Sequence, residues 1–238
     1  MNNVVVNLVT FYKSNNIRSN LAIETIKLLK QNNFEIIIVD GGSYSEFIET
    51  ITNLEIKIFI ETQKDLRESK REAYQKAYET GKDIIVCMEP EKPDFVRSIL
   101  QLVKYLNNNS LDFLLPGRKQ LTCSEFQKYT ESAINRFYQD YTGLNWDFCF
   151  GPLIWRRDQT PYLLNFESKV EKAYWDIHTI EPLLARKEGK RVEQVKIDFT
   201  YDPTIITEES SIPFYQKRIS QLQLMTETLT KYPELKVN

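Results

Sequence analysis

Two glutamates stand at the end of a short apolar run, separated by one proline. In the stretch DIIVCMEPEKPDF, the run Ile84–Cys87 precedes Glu89, Glu91 and Lys92. Such a run is typical of a strand buried in a parallel sheet. Carboxylates at one sheet edge suit a hard divalent cation that also binds phosphate oxygens. The alternative is a solvated turn before a helix, because acids favour the positive N-terminal end of a helix.

A third acid, Asp40, ends another apolar run. In the stretch FEIIIVDGGS it follows three isoleucines and a valine, so we expect it to leave the core at the tip of a strand. Gly41 and Gly42 allow the backbone to turn tightly or to approach a ligand closely. Asp40 is therefore either a ligand contact or a cap for the next helix, a role that strand-to-helix turns use routinely.

Several common kinds of site are missing from the sequence. No G-x-G-x-x-G motif follows the first strand-like run, and neither a Walker-type loop nor a serine-elbow motif occurs. His178 is the only histidine, which leaves carboxylates as the main reactive groups. The formal charge of -2 gives no basic excess to neutralise phosphates. We therefore expect no nucleic-acid partner.

Cysteine content and hydropathy predict in which cellular compartment the protein lies. The three cysteines are widely spaced and odd in number, which favours reduced thiols and a cytoplasmic protein. The first residues lack a basic region followed by a long apolar run, so we expect no signal peptide. No apolar stretch approaches the roughly 20 residues of a spanning helix, so we expect no transmembrane segment. Peripheral contact with a membrane stays open.

Strand-like and helix-like segments alternate through the first half of the chain. This alternation predicts an α/β fold, a single domain over residues 1–238 with a mostly parallel sheet flanked by helices. In the second half, WDFCFGPLIWRRD resembles a strand with a Gly-Pro break, and a terminal helix is predicted over Pro213–Leu229. The other predicted strands are Val4–Tyr12, Phe34–Ser43, Glu55–Thr62, Leu111–Gly117 and Val192–Thr200.

The predicted sheet also predicts where a ligand binds. In an open parallel sheet, ligands bind beyond the carboxyl ends of the strands. Four of those ends carry polar residues: Thr10–Ser14, Asp40–Ser43, Glu89–Lys92 and Gly117–Lys119. We expect these four segments to meet at one edge.

Together these segments resemble the ordered blocks of nucleotide-sugar glycosyltransferases with the GT-A fold. The similar blocks are NLVTFYKSNNIRSNLAIETIKLL, EIIIVDGGS, KREAYQKAYETGKDIIVCMEPEKP and LLPGRK, from about Val4 to Lys119, with weaker similarity to Asp202. The resemblance implies one Rossmann-like GT-A domain, with a donor half over 1–119 and an acceptor half with the C-terminal helix over 120–238.

In function, the resemblance implies transfer of a hexose from a UDP- or GDP-linked donor to an unknown acceptor. One alternative is a catalytically inactive protein that keeps the fold and binds nucleotides or acts as a scaffold. Another is a nucleotidyltransferase, but the glycine-rich, lysine-bearing first loop that it usually needs is missing from TFYKSNNIRSN.

The resemblance also implies roles for single residues on the donor side. Asp40 matches the aspartate that contacts the nucleotide base. Glu89 and Glu91 match the D-x-D block that holds a divalent metal, Mn²⁺ or Mg²⁺, on the diphosphate. Both aspartates of that block are glutamates here, and Lys92 is placed to meet a phosphate directly as a point charge. The implied nucleotide-sugar site comprises Thr10, Tyr12, Asp40, Gly41, Arg71, Lys92 and Arg118.

On the acceptor side, the resemblance implies a carboxylate that removes a proton from the acceptor hydroxyl if the enzyme inverts. Asp176 is the nearest match, with Asp147 in reserve and Glu181 next. For His178 three interpretations stay open: a third metal ligand, an acceptor contact, or a half-buried side chain without a chemical role.

Overall fold

Seven strands form one sheet in the computed structural model, which describes residues 3–171 and 176–237. They follow the order β3-β2-β1-β4-β6-β5-β7, and β6 alone is antiparallel to its neighbours within the described chain. The strands are β1 (Val4–Thr10), β2 (Glu35–Asp40), β3 (Lys57–Ile60), β4 (Ile84–Cys87), β5 (Phe113–Arg118), β6 (Leu153–Arg156) and β7 (Val192–Ile197). The predicted α/β fold with a mostly parallel, helix-flanked sheet is confirmed.

Helices cover both faces of this sheet. The α-helices are α1 (Ile17–Gln31), α2 (Ser45–Asn53), α3 (Leu66–Glu79), α4 (Ile99–Asn108), α5 (Glu125–Thr142), α6 (Thr160–Leu164), α7 (Asp176–Lys187), α8 (Pro203–Glu208) and α9 (Ile212–Thr230). Short 3₁₀ turns lie at Pro93–Ser98, Arg157–Gln159 and Pro233–Leu235. In the part of the chain that the structure describes, no helix is long and apolar enough to cross a membrane.

The central strands are apolar because both of their faces are covered. Val5, Ile37 and Ile85 lie in one core cluster, and the next residue of each strand lies in the other. Successive side chains of a strand point to opposite faces, so a strand covered on both sides is a near-continuous apolar run, which in β1 is interrupted by the buried Asn7. This requirement explains why the sequence predicts β1, β2 and β4 so clearly.

The second half of the chain does not form a separate layer. Strand β6 inserts between β4 and β5, so both halves of the chain contribute to one sheet. The strand predicted in WDFCFGPLIWRRD is correct only over Leu153–Arg156. Gly151 has a φ of +98°, and proline at 152 has no backbone N–H, so pairing begins only after them.

Local signals place the first turn of α1 beside the carboxyl end of β1. The Asn16 side chain accepts a hydrogen bond from the Ser19 backbone N–H, and the Ser19 hydroxyl accepts one from the Asn16 N–H. This reciprocal capping fixes where the helix begins. It also fixes Arg18 in the first turn, at the edge where the predicted ligand site lies.

Candidate functional site

A cavity of about 370 Å³ lies at the carboxyl ends of β1 and β4. It reaches from the sheet edge to α9, so its wall combines the first and last parts of the chain. Basic residues in the wall are Arg18, Lys70, Lys92, Lys217 and Arg218. Acidic residues in the wall are Glu89, Glu91, Glu131 and Glu209. The wall thus carries charges of both signs, and Glu89 pairs with Lys92 while Glu209 pairs with Arg18 and Arg218.

The Glu-Pro-Glu segment lines this cavity, with Lys92 beside it. The Lys92 ammonium lies 3.0 Å from the Glu89 carboxylate, donates to the Phe150 carbonyl oxygen and sits 4.4 Å from the Phe150 ring centroid. Glu89 keeps 44% of its side chain exposed, whereas Lys92 keeps only 9%. A Cβ at position 151 would overlap the Glu89 carboxylate, so Gly151 leaves the space that Glu89 needs. Lys92 is therefore an anchored cation in the cavity wall.

Glu91 is held by an aromatic hydroxyl. The Tyr12 hydroxyl donates to the Glu91 carboxylate at 2.8 Å, and the Tyr12 side chain is buried against Phe47. Burial raises the pKa of Glu91, although the Tyr12 hydrogen bond and the charge of Arg18 oppose that shift. Tyr12 and Glu91 join the ends of β1 and β4 across the floor of the cavity.

His178 contacts a cation in this structure. Its Nδ1 lies 3.0 Å from the Lys70 ammonium on α3. Burial, together with the charges of Lys70 and Lys92, holds the pKa of His178 well below its ordinary value. The ring is therefore neutral at physiological pH.

The three residues predicted to bind a metal do not form such a site. Glu89 lies against the Lys92 ammonium, Glu91 accepts from a hydroxyl and His178 faces Lys70. Within residues 3–171 and 176–237, no group of three or more histidine, cysteine, aspartate or glutamate side chains is arranged to hold a metal ion. Like charges about 4 Å apart repel by about 4 kcal/mol at an effective dielectric constant of about 20. A divalent cation carries two charges, so at that distance Lys92 would repel one on Glu89 by about 8 kcal/mol. The predicted metal set therefore does not fit.

Asp40, Thr10 and Gly41 lie beside the cavity and outside its wall. Asp40 is fully buried, and its carboxylate accepts from the Thr10 hydroxyl at 2.6 Å and the Ser43 hydroxyl at 2.5 Å. It also accepts from the backbone N–H groups of Gly42 and Ser43 at 2.8 and 2.7 Å. The carboxylate is thus occupied within the chain, where it holds the turn after β2. The N-cap of α2 is Tyr44, without a side-chain cap hydrogen bond, so the predicted helix cap is not formed and the predicted base contact gains no support.

Arg118 and Asp147 form a buried ionic network instead of lining the cavity. The guanidinium donates to both Asp147 oxygens at 2.7 and 2.9 Å, and to Glu131 at 2.7 Å. The Arg118 side chain has no exposed surface, and Asp147 keeps 5%. Burial favours a higher pKa for Asp147, but the hydrogen bonds and charge of Arg118 outweigh it and leave that pKa lowered. A carboxylate held in this way is a poor proton acceptor.

Asp176 is also sealed from the cavity. Its side chain is fully buried, accepts from the Ser168 hydroxyl and the Ile177 N–H, and lies 3.5 Å from the Arg67 guanidinium. Glu181, on the same helix, is buried and accepts no hydrogen bond from the described residues, and burial together with Asp176 raises its pKa to about 7. Neither side chain lies in the cavity wall.

The predicted nucleotide contact Arg71 also lies outside the cavity wall. It donates to Glu68 at 2.9 Å and to the Phe166 carbonyl oxygen. The adjacent residue, Lys70, lines the cavity instead. Lys70 lies four residues after Leu66 and four before Tyr74, on one helical face with both. A lysine in that row of largely apolar positions was the signal for a cavity-facing cation.

Sequence reasoning also missed Arg18, Arg218 and Glu209. Glu209 binds Arg18 at 2.7 Å and Arg218 at 2.8 Å, and these contacts join the first helix to the last. No local pattern marks this cluster, because Arg18 and its partner Glu209 are 191 residues apart along the chain. Only the position of α9 over the sheet edge brings them together.

Comparison with known proteins relates the fold of this chain to solved structures. No protein-family profile and no curated protein sequence matches the chain. The fold is similar to that of glucosyl-3-phosphoglycerate synthase from Mycobacterium tuberculosis, solved with Mn²⁺, UDP and glucosyl-3-phosphoglycerate, with a TM-score of 0.62 and 11% identity over 94% of this chain and 80% of that one.

Two further solved structures share the fold. The mannosyltransferase PcManGT from Pyrobaculum calidifontis, solved with GDP-Man and Mn²⁺, has a TM-score of 0.58 and 14% identity, over 94% of this chain and 62% of that one. TarS residues 1–349 from S. aureus have a TM-score of 0.58 and 13% identity, over 93% of this chain and 64% of that one. This chain thus spans less than two thirds of either of those chains. The protein has the GT-A-like fold of the nucleotide-diphospho-sugar transferases.

Proposed function

We propose that the protein transfers a hexose from a UDP- or GDP-linked donor to an acceptor that is still unknown. The observation that carries the proposal is the cavity at the carboxyl ends of β1 and β4, where the Glu-Pro-Glu segment and Lys92 meet Arg18 and Arg218. A crevice at this edge is where an open parallel sheet binds ligands. Its basic side chains suit the two phosphates of a nucleotide-sugar donor.

In the proposed reaction, the bond between the anomeric carbon and the β-phosphate oxygen breaks. The acceptor hydroxyl oxygen forms the new bond to that carbon, its proton passes to solvent water, and the nucleoside diphosphate departs with the bonding electrons. Cations beside the diphosphate stabilise the charge that develops on the leaving group. Within the described wall of the cavity, Lys92, Arg18 and Arg218 are the residues for this role.

The proton acceptor is not Asp147 or Asp176 in this proposal. Both side chains are buried in ion pairs outside the cavity wall. That observation favours a second candidate, a catalytically inactive protein that keeps the donor cavity and binds nucleotides. Both candidates predict nucleotide binding, but only the transferase predicts turnover.

Calorimetric titration with UDP, GDP and their hexose conjugates tests donor binding, and nucleotide release across an acceptor panel tests turnover. We expect saturable binding of one nucleotide class, with release of the diphosphate when a suitable acceptor is present. Binding without release across the panel supports the inactive candidate. Absence of binding for both nucleotide classes contradicts both candidates.

A further inference from the structure

We infer that the Lys92 ammonium occupies the position of a metal in this cavity, so that the donor diphosphate binds without a divalent cation. The inference rests on the proposed function and names the group that would hold the diphosphate. It contrasts with two of the solved structures that share the fold, which contain Mn²⁺.

The first support is the arrangement of the candidate metal ligands. Each of Glu89, Glu91 and His178 already faces a donor or a cation of the chain. The charge that Glu89 needs opposite it is supplied by Lys92 at 3.0 Å. A metal ion would have to displace this ammonium or lie beside it, and both cost electrostatic energy.

The second support is how firmly Lys92 is held. Its ammonium donates to the Phe150 carbonyl oxygen and lies near the face of the Phe150 ring, and 9% of its side chain is exposed. An ammonium has three hydrogens, of which Glu89 and Phe150 take two. The third hydrogen is available to a phosphate oxygen in the cavity that Lys92 lines. The cation is therefore in place before the ligand arrives.

The third support is the charge of the whole wall. Five basic residues face four acidic ones there, and two of those bases, Arg18 and Arg218, come from the first and last long helices. A diphosphate therefore meets cations from several directions. In this inference, these side chains supply the positive charge opposite the diphosphate that a divalent cation would otherwise supply.

The test uses the whole chain and pairs two substitutions. Binding of the diphosphate by Lys92 and binding through a metal on Glu89 predict opposite effects for each of them. If Lys92 holds the diphosphate, Lys92→Gln weakens binding of pyrophosphate and UDP in EDTA by about tenfold to a hundredfold, the usual effect of losing a charged hydrogen bond. Glu89→Gln strengthens that binding, because it removes the carboxylate that competes with phosphate for the ammonium. If Glu89 instead holds a metal, then in Mn²⁺ Glu89→Gln weakens binding and Lys92→Gln strengthens it.

Calorimetry in EDTA and in Mn²⁺ measures both variants, with GDP titrated alongside UDP. Lys104→Gln is the matched control, because Lys104 is exposed on α4 and lies outside the cavity wall. Melting temperatures identify a variant that fails to fold, and Glu89→Gln carries the test if buried Lys92 does not tolerate the change.

The inference is supported if nucleotide affinity is equal in EDTA and Mn²⁺, if Lys92→Gln binds more weakly and if Glu89→Gln binds more tightly. Nucleotide binding that requires Mn²⁺, or weakened binding in Glu89→Gln, overturns the inference and leaves the proposed function standing. Absence of nucleotide binding under both conditions overturns the proposed function, and the inference with it.

Discussion

The acids that the sequence assigns to one site fall into two environments. Glu89 and Glu91 line the cavity, and Glu89 keeps 44% of its side chain exposed. Asp147 and Asp176 lie in the interior, where 5% and 0% of their side chains are exposed and a guanidinium lies against each. Residue type does not separate these two groups, and carboxylates of both groups have partners within the chain. What separates them is burial: Asp147 and Asp176 are sealed in the interior against a guanidinium, whereas Glu89 and Glu91 lie in the cavity wall.

The comparison predicts that interior carboxylates govern stability and cavity carboxylates govern binding. The largest expected effect comes from Arg118→Met, which leaves Asp147 buried without its cation and Glu131 with only the more distant Arg218, at 3.8 Å. Removing one partner of a buried ion pair typically costs about 3–5 kcal/mol. Urea unfolding should show a loss of that size in the free energy of unfolding.

The matched control for Arg118→Met is Lys119→Met. Lys119 pairs with Asp198 at 2.8 Å, but 54% of its side chain is exposed, so we expect a change of about 0.5 kcal/mol or less. Equal losses in both variants would show that the buried network has no special weight, and the comparison would fail.

The next effect depends on pH and concerns Glu181. Burial and the nearby Asp176 raise its pKa from 4.5 to about 7. A carboxyl group with a raised pKa in the folded state stabilises the protein fully below pH 4.5, and this contribution is lost as pH rises through about 7. We therefore expect the free energy of unfolding of Glu181→Gln to equal that of the wild type near pH 4.5. At pH 8 it should be larger than that of the wild type by about 3 kcal/mol, at about 1.4 kcal/mol per pKa unit.

Unfolding curves of the wild type and Glu181→Gln between pH 4.5 and 8 measure this difference. The wild type should lose stability as pH rises across that range, because Glu181 ionises. The variant has no carboxyl group at this position and should not show that loss. Parallel pH profiles would mean that Glu181 ionises normally in the folded protein.

A smaller loss is expected for Asp40→Ala. The variant removes the acceptor for the Thr10 and Ser43 hydroxyls and for two backbone N–H groups. Unpaired buried donors cost about 1–3 kcal/mol, so thermal and urea unfolding should show a loss in that range. Titration with UDP and GDP should give the same affinity as the wild type. Lost affinity at unchanged stability would instead support the base contact that the family resemblance implies.

The smallest effect on stability is expected for Glu89→Gln. Its partner Lys92 keeps the Phe150 carbonyl contact, and Glu89 is partly exposed, so the free energy of unfolding should change by less than about 1 kcal/mol. The same variant should bind pyrophosphate more tightly than the wild type in calorimetry in EDTA. A large loss of stability would place Glu89 with the interior acids and remove the contrast.

By itself the sequence determined the fold and one edge of the site. Apolar runs such as Ile36–Val39 and Ile84–Cys87 predict buried strands, because a strand covered on both faces leaves no place for polar residues. The Glu-Pro-Glu segment follows directly from the end of β4, so its position in the cavity wall was predictable from local order. Tyr12 was predictable for the same reason, as it follows the end of β1.

Tertiary structure alone decided which charged groups are sealed and which face the cavity. Asp147 meets Arg118 across 29 residues, His178 meets Lys70 across 108, and Arg18 meets Glu209 across 191. Such pairs depend on the insertion of β6 beside β4 and on the placement of α9 over the sheet edge. Hydrophobic periodicity determines which side of an element is buried and carries no information about the partner of a charge. A carboxylate is neutralised by whichever cation the fold brings within a few ångströms, and sequence separation does not set that distance.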